Sequence, residues 1–105
     1  MPRPIRIQLS RRAGFDLQAV SRVANGLVAV NVARPTKWGN PYKKGLDGSA
    51  SHCVTLFRRF ALRAAKDVLG WREELVSELR GKNLACWCKS NAPCHADVLL
   101  YLANN

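Results

Sequence analysis

Apolar and polar positions alternate near the start of the chain. Ile5, Ile7 and Leu9 share one face at a period of two, which predicts a short first strand over residues 6–9. Residues 10–26 are weakly patterned; Asp16 to Val23 predicts a helical turn or two, and Asn25-Gly26 a tight turn. Leu27 to Ala33 is short, apolar and rich in valine, so it reads as the best strand. Arg34-Pro35 ends it, because proline lacks the N–H that a ladder needs.

The period changes to three-to-four further on. Phe57, Phe60 or Ala61, Ala64 and Val68 form one apolar stripe on a helix running from a cap at Ser49 or Ser51 to about Leu69. Gly70 breaks it. Trp71, Leu75 and Leu79 predict a shorter helix closed by Gly81. Asn83 to Lys89 reads as a strand, and Pro93 suits the first turn of a last helix that ends near Leu102, with Val98, Leu99 and Leu102 toward the core. These elements define a small single α/β domain over residues 1–105, with about three strands and three to four helices.

Charge changes this picture more than composition does. Seventeen Lys and Arg stand against seven Asp and Glu, a net charge of +10. Residues 1–46 carry nine basic side chains and the single acid Asp16, whereas residues 47–105 carry eight basic and six acidic ones. Such one-sided positive charge favours a polyanionic partner, a nucleotide or a nucleic acid. No apolar run is long enough to cross a membrane and no secretion signal is recognisable, so no membrane partner is expected and the cytoplasm, with reduced thiols, is the expected compartment.

Two segments carry candidate chemistry. In "RPTKWGNPYKKGLDGS", residues 34–49, Arg34 and Lys37 supply charge, and Asn40 donates and accepts. Trp38 and Tyr42 offer flat faces to a base, and Gly39 lets the backbone turn sharply. The alternative is that Trp38 plugs the core. In "CWCKSNAPCH", residues 86–95, the strand assignment puts Cys86 and Cys88 on one face and Trp87 on the other. Cys94 and His95 fall in the first turn of the last helix, where a thiol loses its proton more easily.

Three readings of these thiols stay open. One is a reactive site with Cys94 as nucleophile, His95 or His52 as base and Cys88 beside it. A second is a zinc site of Cys86, Cys88, Cys94 and His95, or some of these with His52. Its spacing is unfavourable: alternate strand residues hold their Cα atoms roughly 6–7 Å apart, whereas sulfurs sharing a zinc ion need about 4 Å. The third is plain packing, which covers Cys53. No cofactor or metal is assigned.

"RIQLSRRAGF", "VARPTKWGNPY", "ELRGKNLACWC" and "PCHADVLL" together resemble domain-of-unknown-function family 4326, a group of small bacterial and phage proteins. The likeness runs from about Arg6 to Leu102. The positions that match the family pattern are Arg34, Pro35, Trp38, Gly39, Asn40 and Pro41, then Cys86, Cys88, Cys94, His95 and Asp97. The sequence departs from it in "FDLQAVSRVANG", which is longer and less basic. The resemblance implies a shared fold and two paired motifs, and its phage setting implies nucleotide or nucleic-acid business; it names no reaction.

The expectation is therefore a pocket where the loop after the 27–33 strand meets the loop before the last helix, occupied by a phosphate-bearing ligand. Arg34 and Lys37 hold the anion, Trp38 and Asn40 the base or sugar, with Gly39 and Cys88 also at the ligand, and Cys94 with His95 sits where a reaction could occur. The alternative is a nucleic-acid-binding accessory protein without catalysis, its cysteines structural or zinc-bound.

Overall fold

The computed structural model describes residues 2–105. The elements follow in the order β1 (Arg6–Gln8), α1 (Leu17–Asn25), β2 (Ala29–Asn31), α2 (Ala50–Asp67), α3 (Trp71–Leu79), β3 (Asn83–Cys86) and α4 (His95–Asn104). The three strands form one parallel sheet in the order β1-β3-β2. The last strand in sequence is therefore the central one, and every residue of it is buried. A buried central strand has no wet face, which explains the apolar run Leu84–Cys86 that follows the hydrogen-bonded Asn83.

Local chemistry sets the helix ends. Asp16 accepts the Ala19 N–H at 3.1 Å and opens α1, and Gly26 closes it in the left-handed region at φ 80°, where a side chain would clash. Ser49 accepts the His52 N–H at 3.2 Å and opens α2. α4 lies on β1 and β3, and α2 and α3 pack on α4 in turn. Leu75, Leu79, Leu84 and Leu99 are fully buried between these layers, each contributing roughly 1.5–3 kcal/mol of apolar burial.

A polar hub holds the other end of the sheet. Asn83 is fully buried. Its Nδ2 donates to Ser21 Oγ at 2.7 Å and Asn25 Oδ1 at 2.8 Å. Its Oδ1 accepts from Ile5 N and Asn25 Nδ2, both at 2.9 Å. One amide thus ties β1, α1 and β3 together with its hydrogen-bonding capacity filled.

Several boundaries differ from the sequence pattern. β2 is three residues long, not seven, because Asn31 Oδ1 accepts the Ala33 N–H at 2.9 Å and turns the chain out of the ladder. β3 stops at Cys86 rather than Lys89; the last pairings it makes are with Leu9 N and Val32 N, after which neither neighbour continues. On α2 the buried stripe is Cys53, Phe57, Ala61 and Ala64. Val68, expected to extend it, is 54% exposed because the helix ends at Asp67.

Candidate functional site

In a parallel sheet the carboxyl ends of all strands point one way, and the loops leaving them form a rim on which ligands bind. Here that rim is built from Arg11 after β1, the segment 33–44 after β2, and the segment 86–95 after β3. They enclose a cleft of about 420 Å³. Three cationic side chains line it, Arg11, Arg34 and Lys44, together with Asn40, Tyr42, Trp87 and the sulfur-bearing Cys86, Cys88 and Cys94. Among the described residues, no carboxylate lines it.

The wall after β2 is held from within. A cis peptide joins Arg34 to Pro35. The Arg34 guanidinium turns back and donates through Nη1 to the Asn40 carbonyl at 3.0 Å. Buried Asn40 donates from Nδ2 to the Cys53 carbonyl at 3.2 Å and accepts the Tyr42 N–H at 2.9 Å, so it links this loop to α2. A Cβ at Gly39 would lie 2.9 Å from both Arg34 N and Arg34 Cγ. Glycine is required there by close approach of two chain segments.

The floor is held by Arg6 and His95. Arg6 Nη2 donates to the Lys89 and Ser90 carbonyls at 3.1 and 2.8 Å, and Nη1 stands 3.3 Å from Asp97 Oδ2. That approach lacks hydrogen-bond alignment, so it acts by charge alone. Buried His95 donates from Nε2 to the Val32 carbonyl at 2.8 Å and meets Phe57 edge to face at 5.2 Å. A carbonyl only accepts, so the neutral ring keeps its lone pair on Nδ1, 3.8 Å from Cys94 Sγ.

The three sulfurs meet at one point. Cys86, Cys88 and Cys94 Sγ all lie within 4.8 Å of one another, and Cys86 and Cys88 are 3.6 Å apart. Because β3 ends at Cys86, the chain bends there and the extended spacing that argued against close sulfurs does not apply. The neighbouring Cys94 thiol, within 4.8 Å, brings the Cys86 thiol far below the ordinary range, and nearby His95 adds to this. Cys86 in turn raises the Cys94 thiol far above it, with burial adding to this, and burial raises Cys88. The trio thus gives up one proton readily and keeps the others.

The structure sorts the residues expected from sequence. Arg34, Asn40, Cys88, Cys94 and His95 come together in the cleft. Lys37, Trp38 and Gly39 line a separate hollow of about 180 Å³ instead. Trp38 is 6% exposed, donates from Nε1 to Glu78 at 3.1 Å and packs edge-on against Trp71. Lys37 is paired with Glu74 and Glu78. His52 is exposed and outside the cleft lining. The aromatic face at the cleft is Trp87, 44% exposed, with the Arg11 guanidinium 4.9 Å above its ring. Arg11 and Lys44 carried no local sign of a site; the position of Arg11 just past a strand end was the one available signal.

The paired motifs and this geometry coincide with a match to the family described as Domain of unknown function (DUF4326), over residues 17–105. The chain belongs to that family. β1 and the opening motif "RIQLSRRAGF" lie ahead of the matched stretch. No curated protein and no solved structure matches the chain. Among the described residues, no helix is long and apolar enough to cross a membrane.

Proposed function

We propose that the cleft binds a phosphate-bearing ligand of the nucleotide class. The observation that carries this reading is the lining: three cations, no carboxylate among the described residues and an exposed indole, at the carboxyl ends of a parallel sheet. Phosphate is the biological anion that such a set suits, because guanidinium forks match its oxygens. Trp87 supports stacking of a base, and Arg11 beside it supports a phosphate. The volume suits one small ligand. Any reaction takes place over the sulfurs. Cys94 is 1% exposed and holds its proton most tightly, and the His95 ring is tied to a carbonyl. The Cys94 nucleophile and His95 base expected from sequence are therefore the less favoured arrangement, and the three-thiol floor acts as a unit.

Titration of the protein with pyrophosphate and 5′-mononucleotides tests the reading. Arg11→Ala and Lys44→Ala should each weaken binding about tenfold, the loss of one charge-assisted contact. Affinity equal in both variants and the parent contradicts it.

The uneven charge, with nine basic side chains in residues 1–46, supports a second reading, a nucleic-acid-binding accessory role without catalysis in the cytoplasm. It predicts steeply salt-dependent binding of mixed-sequence single-stranded DNA that mononucleotides do not displace.

A further inference from the structure

We infer that Cys86, Cys88 and Cys94 form a zinc site whose fourth position faces the basic cleft. The inference rests on the sulfurs and stands whether or not the cleft takes a nucleotide.

Two sulfurs on a tetrahedral zinc ion, each about 2.3 Å from the metal, lie about 3.8 Å apart. Cys86 and Cys88 are 3.6 Å apart, and Cys94 is within 4.8 Å of both. Small movements of thiols already gathered around one point complete the triangle. Packing alone does not account for this arrangement. Cys86 and Cys94 belong to the apolar core, but packing does not require that they also gather their sulfurs with that of the partly buried Cys88 within 4.8 Å at the wall of a cleft. Cys53, the fourth cysteine, is buried in α2 and borders the same cleft, but its sulfur lies outside the trio.

The surroundings fit a loaded site. Three thiolates and one Zn²⁺ leave a net charge of −1, which Arg11, Arg34 and Lys44 offset across the cleft. Arg6 clamps the carbonyls of the loop that carries two of the sulfurs to the third. His95 is fixed by its bond to Val32, and its Nδ1 faces Cys94. Buried groups that orient ligands in this way are what a metal site requires beyond its first ring of donors. All three sulfurs line the cleft, so the remaining position opens toward it. Three protein ligands with one exchangeable place is the arrangement by which zinc binds a water or a ligand oxygen. Loading displaces the thiol protons to solvent, so uptake acidifies an unbuffered solution.

The test uses the full chain, reduced, stripped with chelator and kept anaerobic, with Co²⁺ as the probe. One equivalent of Co²⁺ should saturate a near-ultraviolet sulfur-to-metal charge-transfer band of three-thiolate strength, with visible bands of tetrahedral cobalt. One equivalent of Zn²⁺ should bleach both, and azide should shift the visible bands through the open position. Cys53→Ser should behave as the parent. Cys88→Ser, checked for fold by circular dichroism, should bind at least about tenfold more weakly. A missing charge-transfer band at stoichiometric Co²⁺, or equal affinity in Cys88→Ser, overturns the site. Visible bands indifferent to azide overturn its open position.

Discussion

His95 Nε2 donates to the Val32 carbonyl at 2.8 Å, which pins the first turn of α4 to the end of β2. This one bond joins the two segments that make the cleft. It also leaves Nδ1 toward the sulfurs, so the ring orders the thiol cluster without needing solvent access. Removing it should cost more than one hydrogen bond. His95→Ala loses the bond, leaves the Val32 carbonyl buried without its partner, and opens a cavity against Phe57. Urea unfolding should show a loss of about 2–4 kcal/mol. A change under about 0.5 kcal/mol contradicts the pinning role.

Gly39→Ala should destabilise the fold by about 1–3 kcal/mol, since the added Cβ meets the Arg34 backbone and the loop must shift. The same shift should weaken pyrophosphate binding, because Arg34 lines the cleft. Thermal melts and a pyrophosphate titration read the two effects; a variant as stable as the parent contradicts the close approach.

Asn83→Ala should be among the most damaging single changes, at about 3 kcal/mol or more. It empties a fully buried site and strands donors and acceptors on Ser21, Asn25 and Ile5. Amide exchange should speed up in β1 and α1 together. Exchange confined to β3 would show that the hub does not couple them.

The metal-free protein should have a stability maximum near the ordinary thiol range. Cys86 ionises well below its usual value of 9.0 in the fold. Between these two values the unfolded chain binds more protons there, so stability rises with pH toward 9.0 and this contribution is lost as pH falls. Above that range the unfolded chain ionises all three thiols while the fold keeps protons on Cys94 and Cys88, so stability falls again. Urea midpoints measured from mildly acidic to alkaline pH should trace this rise and fall, and Cys86→Ser should flatten the acidic limb. A flat profile in the parent contradicts the coupled trio.

The fold was legible where neighbours in sequence decide it. The caps at Asp16 and Ser49 and the glycines at Gly26, Gly70 and Gly81 all act locally, and apolar spacing marked α2, α3 and the strands, whereas α1 lay in a weakly patterned stretch. Strand ends were not legible. The apolar run of β3 continues through Trp87 and Cys88, but a central strand stops where its partners stop, and that is set by Leu9 and Val32 from distant parts of the chain. The site divides in the same way. The meeting of the two motifs followed from strand direction, whereas the close grouping of Cys86, Cys88 and Cys94 did not, because an extended strand through Cys88 holds alternate sulfurs apart and the real strand ends at Cys86. Trp38 in a loop of glycine and proline reads equally as an exposed stacking face or a core plug, and the structure makes it the plug, held by Glu78 and Trp71. Trp87, given the face away from the cysteines, borders the cleft with them because the chain bends after Cys86.

The central claim is that the rim where the three strands end receives a phosphate-bearing ligand. Amide chemical shifts followed during titration with a 5′-mononucleotide read it most directly. The account predicts saturable shifts concentrated at Arg11, Arg34, Lys44, Trp87 and Cys88. Shifts that stay on the outer face of α2 around Arg59 and Arg63, or that never saturate, would contradict it.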